Sequence, residues 1–275
     1  MIKSILAVSE GGPDAAMAFS LAALAARRLG ATVDALYLPA NSAVVGAGMA
    51  MSGGAVPTMV DWGAARLDDR AEQSSRAFEE ILAPIPGANY ATAEAADPDA
   101  VVFMGRCADL VVIGRPGTDP ENLAPAAVDP ALYECARPVL IAPPALGSNA
   151  LESAIVAWNG SLQAARAMNY ALPFLQQARS VTVLVVGSTP EEVGARDLIR
   201  HLYRHGIAAR TDAIDPGAVS GRARGRALLE YAHKSETGLL VMGAYGRNQT
   251  LSFLGLGSAT SKVISACRAP LLLAH

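Results

Sequence analysis

The sequence predicts an α/β protein with two tandem, five-stranded parallel sheets, each covered by helices on both faces. Short unbroken runs of Val, Ile and Leu alternate with helical segments, which is typical of parallel strands buried on both faces. The two halves share one order of motifs, and 275 residues that are 52% hydrophobic suffice for two cores. We expect a first domain over residues 1–145 and a second over residues 150–275.

Two pairs of matching segments indicate that the second half repeats the first. KSILAVSEG at residues 3–11 resembles ESAIVAWNG at residues 152–160, 149 positions later. LVVIGRPG at residues 110–117 resembles LLVMGAYG at residues 239–246, 129 positions later, so the first half holds twenty extra residues between these points. Solenoid repeats are far shorter, and a repeat of this length therefore indicates a duplicated domain.

Strands and helices are expected to alternate in the first half. The predicted strands cover residues 4–8, 32–38, 89–95, 109–113 and 138–142. The predicted helices cover residues 14–29, 64–82 and 99–106, with one more before the last strand. Residues 39–60 carry no charge but contain two prolines and four glycines, which favours a long mobile loop over a membrane-spanning helix. This loop accounts for the extra residues of the first half.

The second half repeats the alternation. Its predicted strands cover residues 154–157, 181–186, 208–214, 239–242 and 270–274. Its predicted helices cover residues 162–177, 190–205, 221–233 and 258–266. Because ligands collect at the carboxyl ends of parallel strands, the residues that follow these strands are the candidates for a binding site. They include Asn159, Gly160, Val186 and Gly243.

A phosphate-binding pattern follows the fourth strand of the second half. Gly243 and Gly246 form a Gly-x-x-Gly turn, and Gly257-Ser258 then opens a helix. The free N–H groups and the dipole of a helix start favour an anion, and the nearby Arg247 adds a cation. This pattern predicts a pocket for a phosphorylated ligand.

The matching region of the first half is degraded. Gly114 and Gly117 are present, but no Gly-Ser follows them. The linker instead carries Asp119, Glu121 and Asp129, which places negative charge where a phosphate would lie. We therefore expect nucleotide binding in the second half alone.

These motifs resemble the universal stress protein family, in a tandem two-domain form that covers nearly the whole chain. The family motif Gly-x2-Gly-x9-Gly-[Ser/Thr] wraps the triphosphate in ATP-binding members. Here the spacing is Gly243-x2-Gly246-x10-Gly257-Ser258, so the linker is one residue longer. The resemblance implies a Rossmann-like fold of the adenine nucleotide alpha hydrolase type.

Two strand-end positions complete the resemblance. The first strand of family members typically ends in an aspartate that reaches the nucleotide, and this chain has Asn159 there in the second half and Glu10 in the first. Val186 matches the position whose backbone reads adenine. The implied nucleotide-binding set is Asn159, Gly160, Val186, Gly243, Gly246, Arg247, Gly257, Ser258 and Ala259.

The resemblance implies a nucleotide-responsive stress or accessory protein that binds ATP, alone or with Mg²⁺, in its C-terminal domain. Slow ATP hydrolysis is compatible with it, whereas metabolic catalysis is not implied and no catalytic residue is assigned. The alternative is a scaffold, or a protein for another small ligand, that has lost ATP. A third class, a nucleotide-dependent enzyme, would need a carboxylate or a reactive cysteine at the pocket.

Composition narrows the classes of partner and compartment. A formal net charge of −3 gives no basis for binding nucleic acid or an anionic membrane. Three cysteines without a Cys-x-x-Cys motif fit a reducing, cytoplasmic compartment. The N-terminal segment lacks the pattern of a signal peptide.

Three other features have simpler interpretations than a functional site. His201 and His205 share a helix face, but the neighbouring arginines favour a solvated surface over a metal site. Cys135 and Cys267 are expected to be small packing residues rather than redox centres. The alternating arginines at positions 222, 224 and 226 are expected to be a solvated helix start.

The last strand of each half predicts how the halves meet. Residues 138–142 and 270–274 are apolar, and each would leave an unpaired edge in isolation. Single-domain members of the resembled family commonly dimerise by pairing this strand. We therefore expect the two strands to pair antiparallel as an intramolecular pseudo-dimer. A further homodimer of the full chain stays open.

Overall fold

The computed structural model describes residues 1–12, 14–39, 59–94, 97–116, 126–215, 217, 220–244 and 259–275. They form two compact units. One unit comprises Ile2–Arg137, and the other comprises Pro138–His275 together with Met1.

The first unit contains four parallel strands in the order β3-β2-β1-β4. Its strands are β1 (Ser4–Ser9), β2 (Thr32–Tyr37), β3 (Asn89–Thr92) and β4 (Leu110–Gly114). Its helices are α1 (Asp14–Leu29), α2 (Met59–Ile81) and α3 (Pro98–Cys107), followed by a π-helical turn (Pro130–Glu134). Ile5 pairs with Val33 and Leu110, and all three side chains are fully buried. The continuous apolar runs are thus covered on both faces, as the sequence predicts.

The second unit contains six strands in the order β5-β10-β9-β6-β7-β8. Its strands are β5 (Val139–Ala142), β6 (Ser153–Ala157), β7 (Ser180–Val186), β8 (Ala209–Ile214), β9 (Leu239–Gly243) and β10 (Leu271–Ala274). Its helices are α4 (Leu162–Leu175), α5 (Ala195–Arg204), α6 (Gly221–Lys234) and α7 (Ala259–Ala266). All neighbours pair in parallel except β5 and β10. In chain order each half contributes five strands, which confirms the predicted α/β class.

The antiparallel pairing of β5 with β10 is the one predicted for residues 138–142 and 270–274. Leu140 lies opposite Leu272 at the centre of three residue pairs. The boundary between the compact units falls at Pro138, directly before β5, whereas the sequence predicts domains over residues 1–145 and 150–275. The domain limits of 1–145 and 150–275 stay predictions.

Some element boundaries differ from the sequence-based ones. The helix expected over residues 190–205 begins at Ala195, because Gly194 has a left-handed φ of 66° and residues before it form turns. Helix α2 begins at Met59, five residues before the expected start. Most of the predicted loop at 39–60 and most of the acidic linker of the first half lie outside the described residues. None of the helices in the described ranges is long and apolar enough to cross a membrane.

Candidate functional site

The first part of the candidate site is the turn that joins β6 to α4. Asn159 Oδ1 accepts a hydrogen bond from Ser161 N (3.1 Å), and Ser161 Oγ caps α4 by accepting from Ala164 N (3.2 Å). Gly160 has a φ of 68°, and a β-carbon there would lie 3.2 Å from Val193 O. Glycine therefore fits this position both by conformation and by the closeness of Val193. Asn159 and Gly160 themselves are exposed.

The second part is the end of β7. Val186 is half-buried and pairs with Ile214 of β8. Gly187 follows with a φ of 72° and donates its N–H to Ile214 O at 2.9 Å. The chain thus turns directly after Val186 and leaves the carboxyl end of β7 without a β-carbon at position 187.

The third part is the end of β9. A β-carbon on Gly243 would lie 2.6 Å from Ala164 N and 2.7 Å from Gln163 C in the first turn of α4. The absence of a side chain at Gly243 therefore lets α4 pack against β9. This is a packing reason for a glycine that the sequence motif assigns to a phosphate cradle, and it explains the glycine without a ligand.

Helix α7 begins at the half-buried Ala259. It lies against α6, because a β-carbon on Gly225 would lie only 3.0 Å from Ala259 O. The predicted site residues Gly246, Arg247, Gly257 and Ser258 lie outside the described residues.

The strand order brings the described candidates to one edge of the sheet. Strands β9, β6 and β7 are consecutive neighbours and run in parallel, so Gly243, Asn159 and Val186 lie at the same carboxyl edge. The chain progresses from β6 through β7 to β8 in one direction and from β9 to β10 in the other. The switch between these directions falls between β6 and β9, which is where open α/β sheets bind ligands.

Sequence reasoning missed Arg224. The arginines at 222 and 226 are exposed as expected, but Arg224 is half-buried, so the expectation of a solvated helix start is wrong for it. A β-carbon on Gly187 would lie 2.9 Å from Arg224 Nε. The side chain therefore lies against the turn that follows β7, at the edge of the candidate site. An alternating run of arginines does not reveal which of them points inward, and no sequence signal identifies this one.

The matching edge of the first unit is filled by the chain's own side chains. Arg70 of α2, only 3% exposed, donates to Glu10 O from Nε (3.0 Å) and Nη2 (2.9 Å) and to Gly11 O from Nη2 (3.3 Å). Glu10 Oε1 accepts from Ala127 N (2.8 Å). Glu10 matches Asn159 in the repeat, so a carboxylate and a guanidinium lie at the edge where the second unit has an exposed asparagine.

The two cysteines that precede the final strands are buried, as the sequence predicts. Burial raises the pKa of the Cys135 thiol to about 11, and its Sγ donates to Val101 O at 3.4 Å. A thiol with so high a pKa is protonated at neutral pH and unreactive. Cys267 is buried too, whereas Cys107 is exposed.

Comparison with solved structures identifies the fold. A universal stress protein from Archaeoglobus fulgidus DSM 4304 superposes with a TM-score of 0.67 and 14% sequence identity over 98% of this chain and 97% of the other. A putative universal stress protein from Pseudomonas aeruginosa UCBPP-PA14 gives a TM-score of 0.57 and 16% identity over 99% and 93% of the two chains. No family model matches the sequence, and no curated protein does.

These comparisons confirm the resemblance at the level of the fold. The likeness covers both halves of the chain and nearly all of each neighbour, so the fold is that of universal stress proteins in the tandem arrangement. At sequence identities of 14% and 16%, the similarity supports the fold and does not assign a function.

Proposed function

We propose that the second unit binds one adenine nucleotide, ATP with Mg²⁺, and that the protein is a nucleotide-responsive accessory protein of the stress response in the cytoplasm. The observation that carries the proposal is the convergence of three glycine-containing strand ends at the switch point of the sheet. The ends of β6, β7 and β9 lie side by side there, and α7 begins directly after the sequence Gly257-Ser258.

The residues divide between the two parts of the nucleotide. The backbone at Val186 is assigned to adenine, and Asn159 and Gly160 are assigned to the nucleoside side of the pocket. The phosphates lie against Gly243, Gly246, Gly257, Ser258 and Ala259, with Arg247 as a nearby cation. Helix dipoles and free N–H groups favour phosphate at the start of α7. The set contains no carboxylate, histidine or cysteine that could serve as a general base or activate the Ser258 hydroxyl, so the expected chemistry is binding with at most slow ATP hydrolysis.

One site per chain is expected, because the matching edge of the first unit already holds Arg70 and Glu10. Arg70 satisfies the carbonyl groups at the end of β1, and Glu10 takes the N–H of Ala127. A nucleotide would have to displace both side chains and would meet the Glu10 carboxylate with its own negative charge.

Calorimetric titration of the full chain with ATP and Mg²⁺ tests the proposal. We expect about one site per chain. Gly257→Val should abolish binding and preserve the circular dichroism spectrum, because a side chain there would occupy the space of the phosphates. The control is Gly117→Val, at a glycine of the degraded motif in the first half, which should leave ATP binding unchanged. Two equivalent sites, or none, would contradict the proposal.

Gly243 is a poor probe of the same site. A side chain at Gly243 would press on the first turn of α4 and would lower stability whether or not a ligand binds there. Loss of binding in a Gly243 variant would therefore not separate a phosphate contact from misplacement of α4.

One observation favours the alternative of a protein that has lost ATP. Asn159 replaces the aspartate of the family pattern, and its Oδ1 is already engaged by Ser161 N. One of the two lone pairs of this acceptor is thus used within the turn. Under this alternative, ATP gives no heat in the titration, and mass spectrometry of the ligand released from denatured protein finds a different small molecule.

A further inference from the structure

Arg224 differs from the other arginines of its run by the place of its side chain. It lies in the first turn of α6, which Ser220 caps by accepting from Ala223 N at 3.2 Å. A β-carbon on Gly187 would lie 2.9 Å from Arg224 Nε and 3.6 Å from its Cγ and Cδ. The side chain therefore crosses the face of Gly187, directly beyond the end of β7.

Arg224 Nε is buried there without an acceptor. It has no hydrogen-bond partner among the residues that the structure describes, and no ion pair of Arg224 is found in that part of the chain. A guanidinium is always charged at neutral pH and presents its donors in a fixed fork. Leaving a buried donor of a charged group unpaired is unfavourable. Because Nε itself is enclosed whereas the side chain as a whole is only half-buried, the rest of the guanidinium fork is the part that an acceptor on a ligand can reach.

The surroundings of Arg224 connect two parts of the candidate site. On one side is Gly187, whose N–H is held by Ile214 O at 2.9 Å. On the other side of the same helical turn, Gly225 touches the start of α7, since its β-carbon would lie 3.0 Å from Ala259 O. The first turn of α6 thus lies between the end of β7 and the helix start that follows Gly257-Ser258.

We propose that Arg224 is a phosphate-binding residue of this site and that its guanidinium donates to an oxygen of the phosphate chain of the bound nucleotide. The inference rests on the proposed function and adds a residue and a charge to it. Phosphate and carboxylate oxygens are the acceptors that a guanidinium fork binds most strongly. A phosphate oxygen would accept from the terminal N–H groups of Arg224, and the guanidinium would balance part of the ligand's negative charge.

The test compares ATP with adenosine in calorimetric titrations of the full chain. Arg224→Gln should weaken ATP binding about tenfold or more, as expected for loss of a hydrogen bond to a charged group. It should leave adenosine binding within about twofold, because adenosine has no phosphate. Arg224→Lys should recover part of the ATP affinity by keeping the charge. Arg222→Gln is the matched control in the same turn and should change neither affinity, because Arg222 is exposed.

Three outcomes would overturn the inference. Unchanged ATP affinity in Arg224→Gln would show that the side chain only packs against Gly187. Equal losses for ATP and adenosine would show a nucleoside contact instead of a phosphate contact. A structural role would be shown by a different pattern. In it, Arg224→Gln loses ATP affinity and has a lower melting temperature, and Arg224→Lys has a normal melting temperature but recovers no ATP affinity.

A separate measurement distinguishes failure of the proposed function from failure of the inference about Arg224. If the wild-type chain binds neither ATP nor adenosine, the proposed function is wrong. Thermal shift with inorganic tripolyphosphate then decides the role of Arg224. Stabilisation of the wild type but not of Arg224→Gln would support a phosphate-binding arginine without a nucleoside. Absence of stabilisation in the wild type would refute that as well.

Discussion

Arg70 and Arg224 each place buried nitrogen atoms near the end of a strand, one in each unit, and their surroundings differ. Arg70 donates to the carbonyl oxygens of Glu10 and Gly11, whereas Arg224 Nε has no acceptor within the described part of the chain. Arg70 therefore completes the edge of its own unit. Arg224 makes no such contact through Nε with the described residues of the other unit. The difference is consistent with one binding site per chain.

Replacing Arg70 tests the first half of this contrast. Arg70→Met should lower the free energy of unfolding by about 2–3 kcal/mol, because it leaves buried carbonyl oxygens at the end of β1 without donors. Urea unfolding followed by circular dichroism measures the change.

The same helix supplies the control for this substitution. Arg76 pairs with Glu72 at 2.6 Å, but the two side chains are 64% and 69% exposed. Arg76→Met should therefore change stability by less than about 0.5 kcal/mol. Equal effects of the two substitutions would mean that the Arg70 contacts contribute nothing beyond those of a surface ion pair.

Among the secondary-structure elements, β1 and β4 are connected by Asp109, the residue directly before β4. Its Oδ2 accepts from Lys3 N (2.7 Å) and Ser4 N (3.1 Å). The hydrogen bond from Lys3 N is the main cause that lowers the pKa of the Asp109 carboxyl below its ordinary value, against a smaller opposing effect of burial. The charged form is thus the one that holds the two strands in register.

This lowered pKa predicts a pH-dependent contribution to stability. The contribution is fully present above the ordinary aspartate pKa of about 3.9 and is lost as the pH falls through the lower pKa of the folded state. Asp109→Ala should lower the free energy of unfolding by about 1–2 kcal/mol at pH 7. The gap to the wild type should narrow steadily below pH 4, as measured by urea unfolding at several pH values.

The exposed Asp69 on α2 is the control for Asp109. Asp69→Ala should change stability by less than about 0.5 kcal/mol at pH 7. A gap between Asp109→Ala and the wild type that stays constant down to pH 2.5 would show that the carboxylate charge is not what holds β1.

At the scale of the whole molecule, β5 belongs by sequence to the first half and pairs with β10 of the second. A fragment of residues 150–275 would lack β5 and would expose the apolar edge of β10, whose side chains are buried in the full chain. An exposed apolar edge strand pairs with other chains. The fragment should therefore self-associate or aggregate in sedimentation velocity experiments.

The full chain at the same concentrations is the reference for this fragment. It needs no partner to cover the edge of β10, because β5 already does so. A fragment of residues 150–275 that stays a well-behaved monomer at high concentration would contradict the edge argument.

Periodicity and composition along the chain predict the class of the fold and most of its elements. They predict helix α1 over residues 14–29, and it occupies Asp14–Leu29, because alanine has the highest helix propensity. The antiparallel pairing of 138–142 with 270–274 also followed from the repeat. The placement of Asn159, Val186 and Gly243 at one edge followed from their positions after parallel strands. These inferences rest on periodicity and spacing along the chain.

Which side chains cover the strand ends depends on tertiary packing. Arg70 lies on the end of β1 although sixty residues separate it from Glu10, and Arg224 crosses Gly187 although α6 follows another strand. Gly243 proved to be required by the first turn of α4. Such contacts depend on where a helix crosses the sheet, and packing of the core sets that crossing. The spacing of residues along the chain therefore does not predict these contacts.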